Sequence, residues 1–508
     1  MAAQGLRGPA VGWKVADGPQ TNQAIFGSVC TANASTWGNM NLRRFTQACA
    51  GTRAASLWLG VAASALGCAT CAMAADDKAD GPPTGIPSPS IATSLPKQGD
   101  PFGSRAALAG IGITGGVNYI GEVLGNASGG VKRGGIYDGR LEVFGDIDFD
   151  KLAGWKGLTF HANAYQLHGH GLTTNNVQNL FPVSYIEATP ATRLFEAWFE
   201  QQIITDKLSV RFGQLAADSE FLTSETATQF INSTFGWPSS FALSLPSSGP
   251  SFPLATPGVR VMFAPTDATT IRAALFNGDP AGPRCQGDPQ RCNDNGLDFR
   301  LRDPVFAIAE AQFKYNQDKG SSALPGVVKV GGWKHFGSFA DQRFDATGLS
   351  LANGLNDPRR YRGNSSLYAM IDQQIFAGQN SQSVNAFVRA TGAQDDRNAI
   401  QFYLDGGLKF AGFVPGRPDD TFGAAVAYAR ISDAARGLDR DNVALGNQSV
   451  VRDYEAMIEL SYTAQIVPGW TLQPDFQYIW HPGAHVDDGT GKPIADAAVF
   501  GLRTTVNY

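Results

Sequence analysis

The stretch from Tyr454 to Ile466 admits very few folds. Tyr454, Ala456, Ile458, Leu460, Tyr462, Ala464 and Ile466 alternate with Glu455, Met457, Glu459, Ser461, Thr463 and Gln465. Successive side chains of a strand point to opposite faces, so this segment reads as a strand with one apolar and one wet surface. It is about twice as long as an average globular strand and reaches across a bilayer when tilted. The glutamates identify the wet side. A soluble core does not accept unpaired carboxylates, whereas a water-filled lumen does.

After Val467-Pro468-Gly469 the alternation resumes. Trp470, Leu472, Phe476, Tyr478 and Trp480 share one face; Thr471, Gln473, Asp475, Gln477 and His481 share the other. Tryptophans at both ends of the apolar face match the interfacial girdles of a membrane barrel. The pattern recurs upstream. Leu141, Val143, Ile147 and Phe149 alternate with Glu142, Asp146 and Asp148; Leu158, Phe160, Ala162 and Ala164 with Thr159, His161, Asn163 and Tyr165. Leu208, Val210 and Phe212 alternate with Ser209 and Arg211, and Ile271, Ala273 and Leu275 flank Arg272. Comparable segments number roughly sixteen, an even count of porin size.

Connections alternate in length. Ile203–Lys207, Pro265–Thr269 and Val467–Gly469 are tight, as periplasmic turns are. Leu215–Pro257, Asn277–Pro304 and Gly337–Gly363 are long and rich in Gly, Pro, Asn and Asp, as extracellular or inward-folded loops are. In the final strand Phe500, Leu502, Val506 and Tyr508 oppose Gly501, Arg503, Thr505 and Asn507, and the terminal aromatic suits a strand that closes onto the first. The fold class expected is all-β: a transmembrane antiparallel barrel of about sixteen strands with one inward-folded loop.

The amino terminus carries an export signal. Arg43, Arg44 and Arg53 precede the apolar run Ala54–Leu66, and Ala72-Met73-Ala74 forms a small-residue cleavage site. Residues 1–39 read as a non-native or mis-started extension before Met40, residues 40–74 as the signal peptide, 75–103 as a flexible periplasmic linker and 104–508 as the barrel, with a short helical turn at Ser104–Ala109. Of the six cysteines only Cys285 and Cys292 survive cleavage, and they read as a loop disulfide in an oxidising compartment.

Other motifs carry little. Gly110-Ile-Gly-Ile-Thr-Gly115 matches a dinucleotide fingerprint but follows no strand and opens no helix. Glu455/Glu459, Glu196/Glu200 and Asp146/Asp148 have the form of glycosidase pairs, yet read as the wet wall of a channel. His168, His170, His481 and His485 lack metal-ligand company in the sequence and read as surface histidines. The chain has no His-Glu-x-x-His and no Gly-x-Ser-x-Gly. The net charge of −5 does not suit a nucleic-acid binder.

Several blocks together resemble the carbohydrate-selective porin family, the OprB type of Gram-negative outer membranes. They are Tyr119-Ile-Gly-Glu-Val-Leu-Gly-Asn-Ala-Ser128, Leu158-Thr-Phe-His-Ala-Asn-Ala-Tyr-Gln-Leu-His168, Gly213-Gln-Leu-Ala-Ala-Asp218 and Phe230-Ile-Asn-Ser-Thr-Phe-Gly-Trp-Pro238, with Pro253–Arg260, Phe276–Pro280 and Pro415–Asp420. The terminal aromatic is Tyr508 where Phe is more usual, and the segment around Phe102-Gly103-Ser104 lacks a Trp. The resemblance implies a sixteen-strand outer-membrane barrel that passes glucose-like monosaccharides by facilitated diffusion, without catalysis, cofactor or metal. A general diffusion porin and a barrel lipid hydrolase are the alternatives. Expected partners are carbohydrate solutes, outer-membrane lipid and the barrel-assembly machinery, reached through the strand ending at Tyr508; a monomer is the expected state.

On the predicted lumen faces Arg211, Arg260 and Arg272 would donate to sugar hydroxyls and Glu196 and Glu200 would accept. Trp237, in the aromatic-rich segment Leu215–Pro257, would offer a stacking surface.

Overall fold

A computed structural model of the chain describes residues 85–318, 323–379 and 381–508. The expected extension and signal peptide lie outside the described residues. Among the described residues sixteen strands form one closed antiparallel barrel. They are β1 (Ile113–Gly130), β2 (Gly134–Asp148), β3 (Leu158–Gly169), β4 (Ala191–Ile204), β5 (Leu208–Leu215), β6 (Thr256–Thr266), β7 (Thr269–Asn277) and β8 (Val305–Tyr315). The second half comprises β9 (Gly326–Asp345), β10 (Pro358–Ala377), β11 (Ser383–Ala393), β12 (Ile400–Ala411), β13 (Thr421–Ile431), β14 (Tyr454–Val467), β15 (Trp470–Trp480) and β16 (Ala495–Asn507). Each strand pairs with its neighbours in the chain, and β16 closes onto β1 with Val506 opposite Tyr119 and Leu502 opposite Val123. Closure leaves no strand edge unpaired in lipid, where an open edge is not tolerated.

The alternation sets which side chains meet lipid. On β14, Glu455, Met457, Glu459 and Ser461 are buried inside while Leu460 is exposed outside. Val123, Leu275, Val330, Leu367 and Phe500 form part of the same exposed outer band. The turns 205–207, 267–268 and 468–469 lie at the periplasmic rim with the chain end, and the loops 216–255, 278–304 and 432–453 rise from the extracellular rim.

One long connection is shorter than its composition suggests. Gly337–Gly363 reads as a loop, but β9 continues to Asp345 and β10 starts at Pro358, with Tyr361 opposite Phe339. Gly363 adopts φ +85° where the register shifts between Arg362 and Asn364. This glycine marks a bulge inside a long strand, a role that sequence alone does not separate from a turn.

The described part of the expected linker packs at the periplasmic rim. Two 3-10 turns span Ile91–Ser94 and Pro96–Gly99, the Tyr508 hydroxyl donates to the Gly99 carbonyl at 2.8 Å, and Arg105 lies over the Tyr508 ring. The helix Ser104–Gly110 then leads into β1.

The lumen is only partly wet, which corrects the reading of Glu455 and Glu459 as channel wall. Glu455 accepts N–H bonds from Leu180 (2.7 Å), Phe181 (3.0 Å) and Gly483 (2.7 Å), and Glu459 accepts from Ile231 (2.5 Å) and Asn232 (3.0 Å). The physical reason is the loops. Chain folded into a barrel carries backbone donors with no ladder partner, and a carboxylate on the wall satisfies two or three at once. Apolar contacts add to the hold. Phe181, Phe230 and Phe235 pack on Phe387 and Tyr403, and Phe221, Trp237 and Phe241 on Phe276, Phe306, Trp333 and Tyr368. Each ring buried this way contributes about 1.5–3 kcal/mol.

Candidate functional site

One continuous cavity of about 4060 Å³ runs through the barrel, from Gln448 and Arg452 at the extracellular rim to Thr471 and Asn507 at the periplasmic rim. Loops 170–190 and 216–255 fold into it and set its course. Ties of loop 216–255 to the wall include Ala216 N–H to Glu196 (2.9 Å), Leu222 N–H to Glu310 (2.7 Å), the Lys329 ammonium to the Thr223 carbonyl (2.6 Å), and three carbonyls to Arg389.

Register produces a charged knot beside this loop. Glu200 of β4 lies opposite Arg211 of β5, and Arg211 lies opposite Arg260 of β6. Two facing arginines repel, and two glutamates bind them together. Arg211 reaches Glu200 at 2.7 Å and Glu220 at 3.1 Å; Arg260 reaches Glu200 at 3.1 Å and Glu220 at 2.7 Å. Glu220 comes from the loop, so the knot is also a loop anchor. Burial works to raise the Glu220 pKa, but the Arg211 and Arg260 guanidiniums overcome it and hold the carboxyl below its usual range.

A column of rings runs across the neighbouring strands. Phe144 of β2 stacks on His161 of β3 with centroids 6.1 Å apart, His161 stacks on Trp198 of β4 at 5.0 Å, and the Arg211 guanidinium lies 3.6 Å from the Trp198 centroid. All four border the cavity, as do Asp146, Glu196 and Glu220. Asp146 contacts His161 Nδ1 at 2.7 Å. The arrangement is an apolar strip with hydrogen-bonding groups on both margins. A cavity lined by residues of both rims suits a channel.

The family model for carbohydrate-selective porins of the OprB family matches residues 132–508. The chain belongs to this family. This porin is 23% identical to "Porin B" of Pseudomonas aeruginosa over 427 residues, 80% of this chain and 89% of that protein. It is 21% identical to "Putative porin QuiX" of Acinetobacter baylyi over 436 residues, 81% of this chain and 92% of that protein. The solved high-pH structure of Pseudomonas putida OprB shares its fold, with a TM-score of 0.72 at 20% identity, covering 80% of this chain and 97% of that one. The porin is thus a Gram-negative outer-membrane channel, and family and fold point to a channel rather than an enzyme.

The structure brings together most of the residues singled out from sequence. Arg211, Glu200 and Arg260 form the knot, and Glu196 adjoins it as a loop anchor. Arg260 is buried beneath the two glutamates at 2% exposure, so Arg211 is the arginine of the knot that borders the cavity. Arg272 lines the cavity from β7, bonded to Gln312 at 3.4 Å and 3.8 Å from Glu310. Trp237 sits apart. It is 7% exposed and packs edge-on against Phe241 at 5.1 Å within the loop's apolar cluster. Cys285 and Cys292 are joined in loop 278–304, with Cα atoms 5.8 Å apart.

Phe144, His161 and Trp198 were not singled out. Trp198 had a signal: it lies between Glu196 and Glu200 on one face of β4. A register shift at Leu194–Ala197, where β4 holds an extra residue against β3, turns both Phe195 and Glu196 inward and blurs that alternation upstream. Glu220 had no periodic cue, because a loop has no period.

Two loop carboxyls link the fold to pH. Burial pushes Glu187 up to about 7, against bonds from Thr173 and Leu172, and pushes Asp218 up to about 6. Both lie above the unfolded values of about 4. Between roughly pH 4 and 7 the folded loops therefore bind more protons than the unfolded chain, so stability is greatest at the acid end and falls as pH rises. The melting temperature of the refolded barrel is expected to drop between about pH 5 and pH 8, and Glu187→Gln to flatten that drop. An unchanged profile in the variant would exclude Glu187 as a cause.

Proposed function

We propose that this porin admits carbohydrates, glucose-like monosaccharides above all, to the periplasm by facilitated diffusion. The observation that carries the reading is the Phe144–His161–Trp198–Arg211 column beside the narrowing loop. A hexose has apolar C–H surfaces rimmed by hydroxyls. The strip meets the first, and Arg211, Asp146, Glu196 and Glu220 meet the second as donors and acceptors. Arg272 extends the donor set along β7. Passage requires weak binding at several successive contacts, which a graded wall provides better than one tight pocket. The family description, carbohydrate-selective porin, supports the same reading, and the name of the Pseudomonas aeruginosa relative supports a porin.

The test is conductance of the refolded porin in planar bilayers during glucose titration. Sugar is expected to block the current, and Trp198→Ala or Arg211→Ala to weaken the block about tenfold, the loss of roughly 1.4 kcal/mol of contact. Trp237→Ala, which removes loop packing, is expected to change conductance more than the sugar constant. Channels indifferent to glucose in the unaltered protein would leave a general diffusion porin.

A further inference from the structure

The extracellular rim holds a second constellation, away from the knot and the ring column. β14 and β15 are joined by a two-residue turn and pair up to Ala456 opposite Trp480. Asp453, just before β14, and His481, just after β15, therefore meet at the same rim. His485 returns to this point through a tight turn in which His481, Ala484 and His485 all take left-handed backbone, with φ of 54°, 61° and 72°. Non-glycine residues adopt that conformation at a cost and keep it where surrounding bonds enforce it. Here Asp453 N–H donates to the Ala484 carbonyl at 3.0 Å, Gly483 N–H to Glu455 at 2.7 Å, and His481 N–H to Asp496 at 3.0 Å.

The side chains converge. Asp453 Oδ1 lies 2.9 Å from His485 Nδ1 and 3.5 Å from His481 Nδ1, and the three candidate ligand atoms fall within 4.8 Å of one another. The imidazoles stack with centroids 3.4 Å apart, and Tyr454 braces His481 at 4.3 Å. His481 Nδ1 is shielded from solvent yet makes no hydrogen bond. Asp453 Oδ1 accepts the Tyr454 N–H at 2.6 Å, so the dry His481 ring nitrogen is the group of the three left without a hydrogen bond, and an electrophile would satisfy it.

We propose that Asp453, His481 and His485 form a binding site for a divalent transition-metal ion of the zinc class. An ion about 2.0–2.2 Å from each donor requires donor separations of roughly 3–3.5 Å, which is the spacing to Asp453 found here. Two imidazole nitrogens with one carboxylate oxygen select borderline ions over calcium or magnesium, which prefer oxygen throughout. Binding splays the stacked rings as both turn Nδ1 to the ion, and water completes the coordination. The ion would join loop 432–453 to loop 481–494 at the channel mouth, where Arg452, Gly483, Val486 and Asp487 line the cavity. From sequence the two histidines had no ligand company. Their third partner stands nearly thirty residues earlier and reaches them only through the β14–β15 hairpin.

The experiment is isothermal titration of zinc chloride into the tag-free, chelator-stripped, refolded porin. Expected are one site per chain, no response to magnesium, and binding weakened at least a hundredfold in the His481→Ala/His485→Ala double variant. Cobalt titrated into the unaltered protein gives a second readout that needs no variant: a visible absorption band of nitrogen-ligated cobalt, abolished by zinc. No zinc site, zinc binding unchanged in a double variant that folds, or no such cobalt band would each overturn the assignment.

Discussion

Arg389→Ala is expected to give a barrel that still folds, conducts more current per channel, and is cut by protease within loop 216–255. Arg389 and Asp405 face inward from β11 and β12, both fully buried, paired at 2.5 Å and 3.0 Å. The same guanidinium donates to the carbonyls of Leu222 (3.3 Å), Thr234 (3.0 Å) and Gly236 (3.0 Å). Tyr403 completes the cluster, donating to Asp405 at 2.7 Å and accepting from Thr234 at 2.8 Å. One side chain thus binds three points of the loop to the wall. Its removal strands a buried carboxylate and three carbonyls, a loss of about 3–5 kcal/mol for the broken pair. The strand ladders are elsewhere and survive, so the cost falls on the loop. Arg389→Met with Asp405→Leu separates the two effects. Without the stranded charge, stability should largely return, but the loop still lacks its donors and conductance should stay high. Unaltered conductance and protease resistance in Arg389→Ala would show that the loop is held by its other anchors alone.

Leu367→Arg is expected to lower the refolding free energy in lipid vesicles by about 2–4 kcal/mol, the cost of a basic residue at the bilayer midplane. Leu367 is 74% exposed on the outer face of β10. It pairs with Gly332 of β9, six residues beyond that strand's periplasmic start at Gly326, which at the usual barrel tilt places it roughly 15 Å above the periplasmic rim, near the middle of the apolar band. Ser366, next in the chain, is buried on the lumen side and bonded to the Gly392 carbonyl. Arginine is thus costly at 367, whereas inside the barrel Arg211 and Arg503 sit against carboxylates. Denaturant titration of refolding measures the difference. A change below about 0.5 kcal/mol would place Leu367 outside the hydrocarbon.

Much of this was legible because a barrel strand states its environment locally. Leu460 and Glu459 are neighbours in the chain and point to opposite solvents, so the pattern on β14 reveals both the strand and its inner face. The tight turn at 468–469 and the pairing of β15 with β14 follow from the same segment, and the closure of β16 on β1 from the final strand ending at Tyr508. The family blocks lie on strands, on loop 216–255, at the start of loop 278–304 and in the turn between β12 and β13. Gly363 misled because a bulge and a turn ask the same of glycine. Trp198 is legible too: its face is set by the same period that places Glu196 and Glu200.

The amino-acid sequence by itself determined the barrel, its size, its lipid and lumen faces and the alternation of short and long connections. Each is encoded by residues two apart or by composition within one connection. Tertiary structure alone decided how the lumen is filled and what its charges do. Glu455 meets Leu180 across 275 residues of chain, and Arg389 meets Thr234 across 155. Loop docking, the Arg211–Glu220 contact and the meeting of Asp453 with His481 and His485 depend on which strands the closed barrel sets side by side. An aperiodic loop carries no local signal of the wall it meets, because the acceptors of its unpaired donors stand on strands far away in the chain.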